Sequence, residues 1–231
     1  RACMGGGYSP VHPTIVNTIN YLTISTLGSA ADFGDVTTAY IQAGACSSRT
    51  RGIIAGGRTP SYVQDIEYIT ISSTGNGTDF GGNLLTMYIP GCCSDQTRGI
   101  FGNGHTPGSY VNSIDYITIA STGQNANDFG DLTVARGYGH WCSSSTRGLS
   151  MGGYVTPASQ DVIDYVTIST TGNAVDFGNL SVANYDNSCA SNSTRGFSLG
   201  GTPTGSNTIE YVNIASTGNV NDFGDLTQLT L

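Results

Sequence analysis

The chain has 231 residues, and its sixteen acids set against eight arginines, with no lysine at all, leave a net charge of −8. A nucleic-acid-binding surface needs clustered basic side chains, so this balance argues against a nucleic-acid partner, and it works against binding to anionic membranes as well. No stretch of about 18 apolar residues is present, so membrane insertion is not expected.

Along the chain one pattern returns five times. Each repeat opens on an arginine, at Arg1, Arg51, Arg98, Arg147 and Arg195. A glycine pair follows at Gly56-Gly57, Gly152-Gly153 and Gly200-Gly201, with Gly102-Asn103-Gly104 in the third repeat. Next comes a tyrosine preceded by an acid, at Glu67-Tyr68, Asp115-Tyr116, Asp164-Tyr165 and Glu210-Tyr211, while the first repeat has Asn20 before Tyr21. A Ser-Thr-Gly type turn then leads to Asp-Phe-Gly, at Phe33, Phe80, Phe129, Phe177 and Phe223. The tyrosines step by 47, 48, 49 and 46 residues and the phenylalanines by 47, 49, 48 and 46. So constant a period implies one structural unit repeated, in a toroid or solenoid.

Within a repeat, four short runs rich in Tyr, Val, Ile, Thr and Phe lie between Gly, Pro, Ser and Asn clusters. From the third repeat onward these are Gly139–Ser144, Gly148–Met151, Ile163–Ile168 and Phe177–Val182. No segment sustains a 3.6-residue apolar period, so helix is not expected. Four strands with short connections form an antiparallel sheet that cannot bury both its faces alone; packing several around an axis does so. The expected fold is all-β: a single β-propeller domain over residues 1–231, with five four-stranded antiparallel blades of about 48 residues starting near 1, 50, 97, 146 and 194. Because Arg1 aligns with the later arginines, the first blade is expected to lack its innermost strand within this chain. The tail Thr227–Leu231 is too short to supply it in full. Residues outside the chain, a longer array or one thin blade would each account for this.

The double glycine, the acid-Tyr pair and the aromatic that opens the fourth strand resemble the kelch family over the whole chain, with Phe in every copy where that family usually has tryptophan. The wording from Ile114 to Arg136, followed by Cys142–Gly148, is similar to kelch-like repeats in tail-fibre and other virion proteins of marine bacteriophages. The second resemblance implies a virion or extracellular setting, with other virion proteins as partners.

Several tempting sites have blander readings. Cys46, Cys93, Cys142 and Cys189 recur five or six residues before the repeat's arginine, which suits small buried fillers near the axis; a ring of metal-binding thiols or disulfides are the alternatives. The repeat arginine and the acid before each Phe (Asp32, Asp79, Asp128, Asp176, Asp222) are expected to form ion pairs that fix one blade against the next. Asp-Phe-Gly without any lysine is not the kinase signature, and the Asp-x-x-Asp pairs at Asp32/Asp35, Asp128/Asp131 and Asp222/Asp225 suit turn chemistry better than calcium. Three scattered histidines (His12, His105, His140) and the absence of a nucleophile elbow or zinc signature argue against an enzyme. No catalytic residue, cofactor or metal is expected.

Residues constant in all repeats build a blade, whereas residues that differ are free to recognise something. Two segments vary. One follows the glycine pair (Tyr8–Val16, Arg58–Gln64, His105–Asn112, Tyr154–Gln160, Thr202–Ser206) and the other precedes the cysteine (Tyr40–Gly44, Tyr88–Gly91, Arg136–Trp141, Asn184–Asn187). In a four-stranded blade both sets emerge on one side of the disc. The ligand-binding residues expected there are Tyr40, Arg58, Tyr62, Tyr88, His105, Tyr110, Tyr138, His140, Trp141 and Tyr185, with Trp141, the single tryptophan, foremost. Aromatic rings with amide and hydroxyl partners suit a cell-surface glycan or a protein. The alternatives are that the recurring tyrosines only plug the channel mouth, and that the disc is a structural virion scaffold, decoration or oligomerisation module, a homo-oligomer included.

Overall fold

The computed structural model describes residues 1–9, 14–82, 88, 91–202 and 205–230. His12 and parts of the variable segments around 10–13, 89–90 and 203–204 lie outside these, as does Leu231. The described residues are all-β, in five blades. The first has three strands, β1 (Ala2–Ser9), β2 (Thr14–Leu22) and β3 (Ala31–Asp35). The second has β4 (Gly44–Ser47), β5 (Arg51–Ala55), β6 (Asp65–Thr70) and β7 (Thr78–Gly82). The third contains β8 (Gly91–Ser94), β9 (Arg98–Gly102), a short hairpin β10 (His105–Thr106) and β11 (Ser109–Tyr110), then β12 (Ser113–Thr118) and β13 (Asn127–Asp131). The fourth has β14 (His140–Ser143), β15 (Arg147–Val155), β16 (Ala158–Thr167) and β17 (Val175–Asn184). The fifth has β18 (Ser188–Ser191), β19 (Arg195–Leu199), β20 (Ser206–Asn213) and β21 (Asn221–Thr230). Blades two to five are four-stranded antiparallel sheets, arranged as a propeller. In the fourth blade β15 does not stop at Met151. It continues through Gly152 and Gly153, at φ of 65° and 127°, by a bulge.

Among the described residues the apolar core forms four clusters, each shared between neighbouring blades. Ile53, Ile66 and Phe80 of blade two meet Phe101, Ile117 and Ile119 of blade three, and Leu149, Ile163 and Phe177 of blade four meet Val212 and Ile214 of blade five. A blade is thus completed by its neighbour, not by itself. The turn before each Asp-Phe-Gly closes the junction: the amides of Gly75, Gly123, Gly172 and Gly218 donate to the carbonyls of Phe33, Phe80, Phe129 and Phe177 at 2.7, 2.9, 2.7 and 2.7 Å. The asparagine beside each of these turns (Asn76, Asn125, Asn173, Asn219) accepts from the backbone of the preceding blade through Oδ1. The glycine of Asp-Phe-Gly follows from the same contact. At Gly34, Gly81, Gly130 and Gly178, with φ of 140–148°, a Cβ would run into the neighbouring turn's backbone.

The repeat arginines hold the junction too, but not by ion pairing. Arg1, Arg51, Arg98, Arg147 and Arg195 lie over Tyr21, Tyr68, Tyr116, Tyr165 and Tyr211 at 4.5–4.7 Å from the ring centroids. The first four donate to the carbonyls of Ile71, Ile119, Ile168 and Ile214, each on the next blade. A guanidinium needs acceptors and a π face, and this position supplies both. The acids before Phe stay exposed; Asp79 and Asp222 accept from Gly81 and Gly224 within their own turns. The acid before Tyr is the one that reaches across. Glu67 accepts from the amide and hydroxyl of Thr37, Asp164 from those of Thr133, and Glu210 from the amide of Ser181. Burial, with Asp128 adding to it, pushes the Asp115 carboxyl up to about 6.

Strands β4, β8, β14 and β18 lie side by side. Ser94, Ser143 and Ser191 each donate Oγ to the carbonyl of the serine one blade earlier. All six cysteines are free. A Cβ on Gly99, Gly148 or Gly196 would run into the thiol of Cys46, Cys93 or Cys142, which explains the glycine after Arg98, Arg147 and Arg195. Cys189 is one position out of step: it pairs with Ser198, and Ala190 holds the register that cysteine holds elsewhere, hence its six-residue offset. Burial pushes the Cys46 and Cys142 thiols up to about 12, so they serve as packing groups.

Among the described residues no such junction joins blade five to blade one. Phe223 is 54 % exposed where the other four phenylalanines of this position are 2 % or less, and Ile24 is 73 % exposed where Ile119, Ile168 and Ile214 are 1 % or less. The first blade also departs from the pattern where it would receive a preceding blade, with Ala2 for the glycine, Asn20 for the acid and Ser29 for the asparagine.

Filling the thiol's space from the other side is expected to destabilise the fold. Gly99→Ala places a Cβ 2.8 Å from the Cys46 sulphur and should cost about 1–3 kcal/mol in denaturant unfolding. Adding Cys46→Ala should recover part of that loss, which would show that the two sites are coupled.

Candidate functional site: an aromatic patch on the variable segments

The two variable segments meet in space. Backbone bridges join Ile41 to Arg58, Tyr88 to His105, Gly137 to Tyr154 and Tyr185 to Thr202. In each pair the residue directly after a blade's glycine pair joins the connection arriving from the previous blade, with hydrogen bonds of 2.7–3.2 Å. Side chains from three neighbouring connections are therefore brought together.

They form a continuous aromatic network. Tyr62 meets Tyr88 edge-on at 6.4 Å and His105 at 6.2 Å, and its hydroxyl lies 3.1 Å from His105 Nδ1. His105 packs against Tyr110 at 4.9 Å and Tyr138 at 6.5 Å. Tyr138 also contacts Tyr88 at 5.6 Å, Tyr110 at 6.4 Å and Tyr185 at 6.2 Å. Tyr154 closes the far side, 5.9 Å from Tyr110 and 5.0 Å from Tyr185. The exposed Arg58 guanidinium lies 6.0 Å from the Tyr88 ring centroid. Edge-to-face pairs of this kind hold each ring in place; Tyr88 is buried beneath the others, and the remaining rings are half-buried.

Tyr138 is the hub, and its backbone is unusual. It sits at φ 59°, a left-handed conformation that bulky side chains rarely adopt. Gln42 and Asp186, at the equivalent point of their connections, share it at 60° and 54°. The Asp186 amide donates to the Tyr138 carbonyl at 2.9 Å and ties the two connections together. A costly backbone geometry that carries the central ring of a partly exposed cluster is the kind of local strain that accompanies binding sites. Burial holds the Tyr88 phenol up to about 12 and raises that of Tyr138. Both hydroxyls thus stay protonated at neutral pH and can donate as well as accept.

Of the ten residues expected from the sequence, seven belong to this patch: Arg58, Tyr62, Tyr88, His105, Tyr110, Tyr138 and Tyr185. The structure places the other three elsewhere. Tyr40 is buried in the junction between blades one and two with Ile19, Phe33 and Val36. His140 lies on β14 opposite Met151, and burial lowers its pKa. Trp141 is buried in the junction between blades three and four. Its ring occupies space left by Gly91 and Gly102, and its Nε1 donates to Asn103 Oδ1. That oxygen also accepts from Ser150 Oγ at 2.7 Å, and Ser150 in turn accepts from Arg136, which is paired with Asp164 at 2.9 Å. Asn103, at φ 62° in the place of the first glycine of the pair, is what the tryptophan answers. Tyr154 was missed although its segment varies. Its signal is position, since it follows Gly152-Gly153 directly, as Arg58 follows Gly56-Gly57.

Among the described residues no group of three or more His, Cys, Asp or Glu side chains is arranged to hold a metal ion. The class defined by fold and patch is a β-propeller with an aromatic, hydroxyl-rich surface on one set of inter-strand connections. No family model matches the chain, and no curated protein matches it.

The placement of Trp141 gives a direct check. Its fluorescence should be blue-shifted and resist aqueous quenchers until the protein unfolds. Trp141→Phe should cost about 1–3 kcal/mol in denaturant, because Asn103 loses a buried donor.

Proposed function

We propose that this protein is a non-enzymatic recognition module that binds a host-surface glycan or protein through the aromatic patch, as part of a phage virion or tail fibre. The observation that carries the reading is the continuous network of Tyr62, Tyr88, His105, Tyr110, Tyr138, Tyr154 and Tyr185 on segments that blade construction leaves free to vary. The apolar side of a pyranose stacks on a tyrosine ring while its hydroxyls exchange hydrogen bonds with neutral phenols. Aromatic anchors serve protein partners in the same way. The resemblance of the repeats to kelch-like virion sequences supports the setting. A second reading, a structural virion component, is favoured by the unmade junction between blades five and one, whose apolar faces stand open around Phe223 and Ile24.

Binding to a glycan array and to intact candidate host cells separates the two. A recognition module should bind saturably, and Tyr138→Ala or Tyr110→Ala should weaken it by about 2 kcal/mol, roughly 30-fold. Trp141→Phe should bind as the parent does. Absence of binding by the folded protein, or equal binding by the tyrosine variants, would favour the structural reading.

A further inference from the structure

Between blades four and five lies a polar cavity of about 280 Å³, lined by Val182, Asn184, Ser198, Gly200, Thr202 and Glu210 among others. We propose that this cavity binds a guanidinium group from outside the chain, carried by an arginine side chain of a partner polypeptide or by a free guanidinium compound. The cavity adjoins the Tyr185–Thr202 bridge at the edge of the aromatic patch, but its chemistry is independent of the patch.

The junction one blade earlier specifies the guest. There Arg136, seven residues after Phe129, is fully buried. Its Nε donates to the Gly152 carbonyl at 2.8 Å and its Nη2 to Ser150 Oγ at 3.1 Å. Its Nη1 donates to Asp164 Oδ2 at 2.9 Å and to the Val134 carbonyl at 3.3 Å. At the equivalent positions of the next repeat stand Gly200, Ser198, Glu210 and Val182, and all four line the cavity. The arginine does not recur, because seven residues after Phe177 the chain has Asn184. Its Nδ2 takes over the bond of Nε, donating to the Gly200 carbonyl at 2.7 Å. The asparagine side chain ends over Gly201, where Arg136 has only reached its Cδ over Gly153. The places of the two terminal nitrogens are thus left to the cavity.

Glu210 is 7 % exposed and accepts the Ser181 amide at 3.3 Å, yet among the described residues no cation stands against it as Arg136 stands against Asp164. A buried carboxylate without a counter-ion is unfavourable, and a planar fork of N–H donors satisfies it with two parallel bonds. Ser198 Oγ accepts from Asn187 Nδ2 at 2.8 Å and keeps a second lone pair for the guest. Between blades one and two the residue equivalent to Arg136 is Tyr40, buried in one cluster with Ile54, the counterpart of Ser150. That junction fills the place with the chain's own side chain, and the junction between blades four and five does not.

The test is titration of the full chain, followed by backbone amide NMR, with methylguanidinium and with Nα-acetyl-arginine methylamide. The citrulline counterpart of the second probe, alike in shape but neutral, serves as control. The expected result is saturable binding of a guanidinium probe, with shifts centred on Ser198, Gly200 and Glu210 and at least ~10-fold weaker binding of the citrulline probe. Tighter binding of the arginine amide assigns the guest to a polypeptide, and binding of methylguanidinium as tight or tighter assigns it to a free compound. Glu210→Gln should weaken binding by at least ~10-fold, and the arginine and citrulline pair decides the matter if that variant does not fold. Asn184→Arg should fill the place from within, abolishing binding and raising the thermal midpoint. No saturable binding, equal binding of the arginine and citrulline probes, shifts away from the cavity, or unchanged binding by Asn184→Arg would overturn the proposal.

Discussion

A four-stranded blade with two apolar faces is stable only when another blade covers it, and in this protein the cover is a fixed set of contacts. A turn amide reaches the Phe carbonyl, an asparagine side chain accepts beside it, an arginine spans from its own tyrosine to the next blade's isoleucine carbonyl, and a thiol fills the hollow over a glycine. Most of the constant residues of the repeat have a partner in the adjoining blade, whereas the acid before Phe stays exposed in its own turn. The repeated wording is therefore mainly the wording of the junction, as expected where stability is a sum of repeat and nearest-neighbour terms.

Because the junction is fixed by constant residues, the connections at the other end of each blade are positioned without being constrained in identity. The bridges from Tyr88 to His105 and from Gly137 to Tyr154 set neighbouring connections side by side, and the tyrosines they carry make the patch. Beneath it, the third and fourth blades are locked by Trp141, Asn103, Ser150, Arg136 and Asp164. This buried, interlinked network ties Asn103 and Arg136 together beneath the connections that carry Tyr138 and Tyr110, with Asn103 Nδ2 left unpaired.

Much of the architecture was legible in the sequence, because period and strand composition are local properties: five blades, the all-β class and the two variable segments could be read directly. What could not be read depends on which residue faces which. The arginines invited an ion pair because an acid recurs beside each Phe, yet distance along the chain does not say that the acid points to solvent while the one before Tyr crosses the junction. Trp141 looked functional because no other repeat has it. Its uniqueness answers another singular residue, Asn103, and that pairing exists only in three dimensions. Tyr40 and Tyr88 fall at nearly the same place in their repeats, but only Tyr88 meets Tyr62 and Tyr138, because Tyr40 is drawn into the core with Val36 and Ile54.

The central claim is that, among the described residues, four junctions hold the blades and a fifth is not made. Residue-resolved hydrogen exchange on the native protein tests it at five equivalent glycines. The amides of Gly75, Gly123, Gly172 and Gly218, each bonded to a Phe carbonyl, should exchange only through opening of a junction, while that of Gly28 should exchange at close to the rate of an unprotected amide. Protection of Gly28 equal to that of the other four would contradict the account, because it would place a partner blade over Ile24 and Phe223.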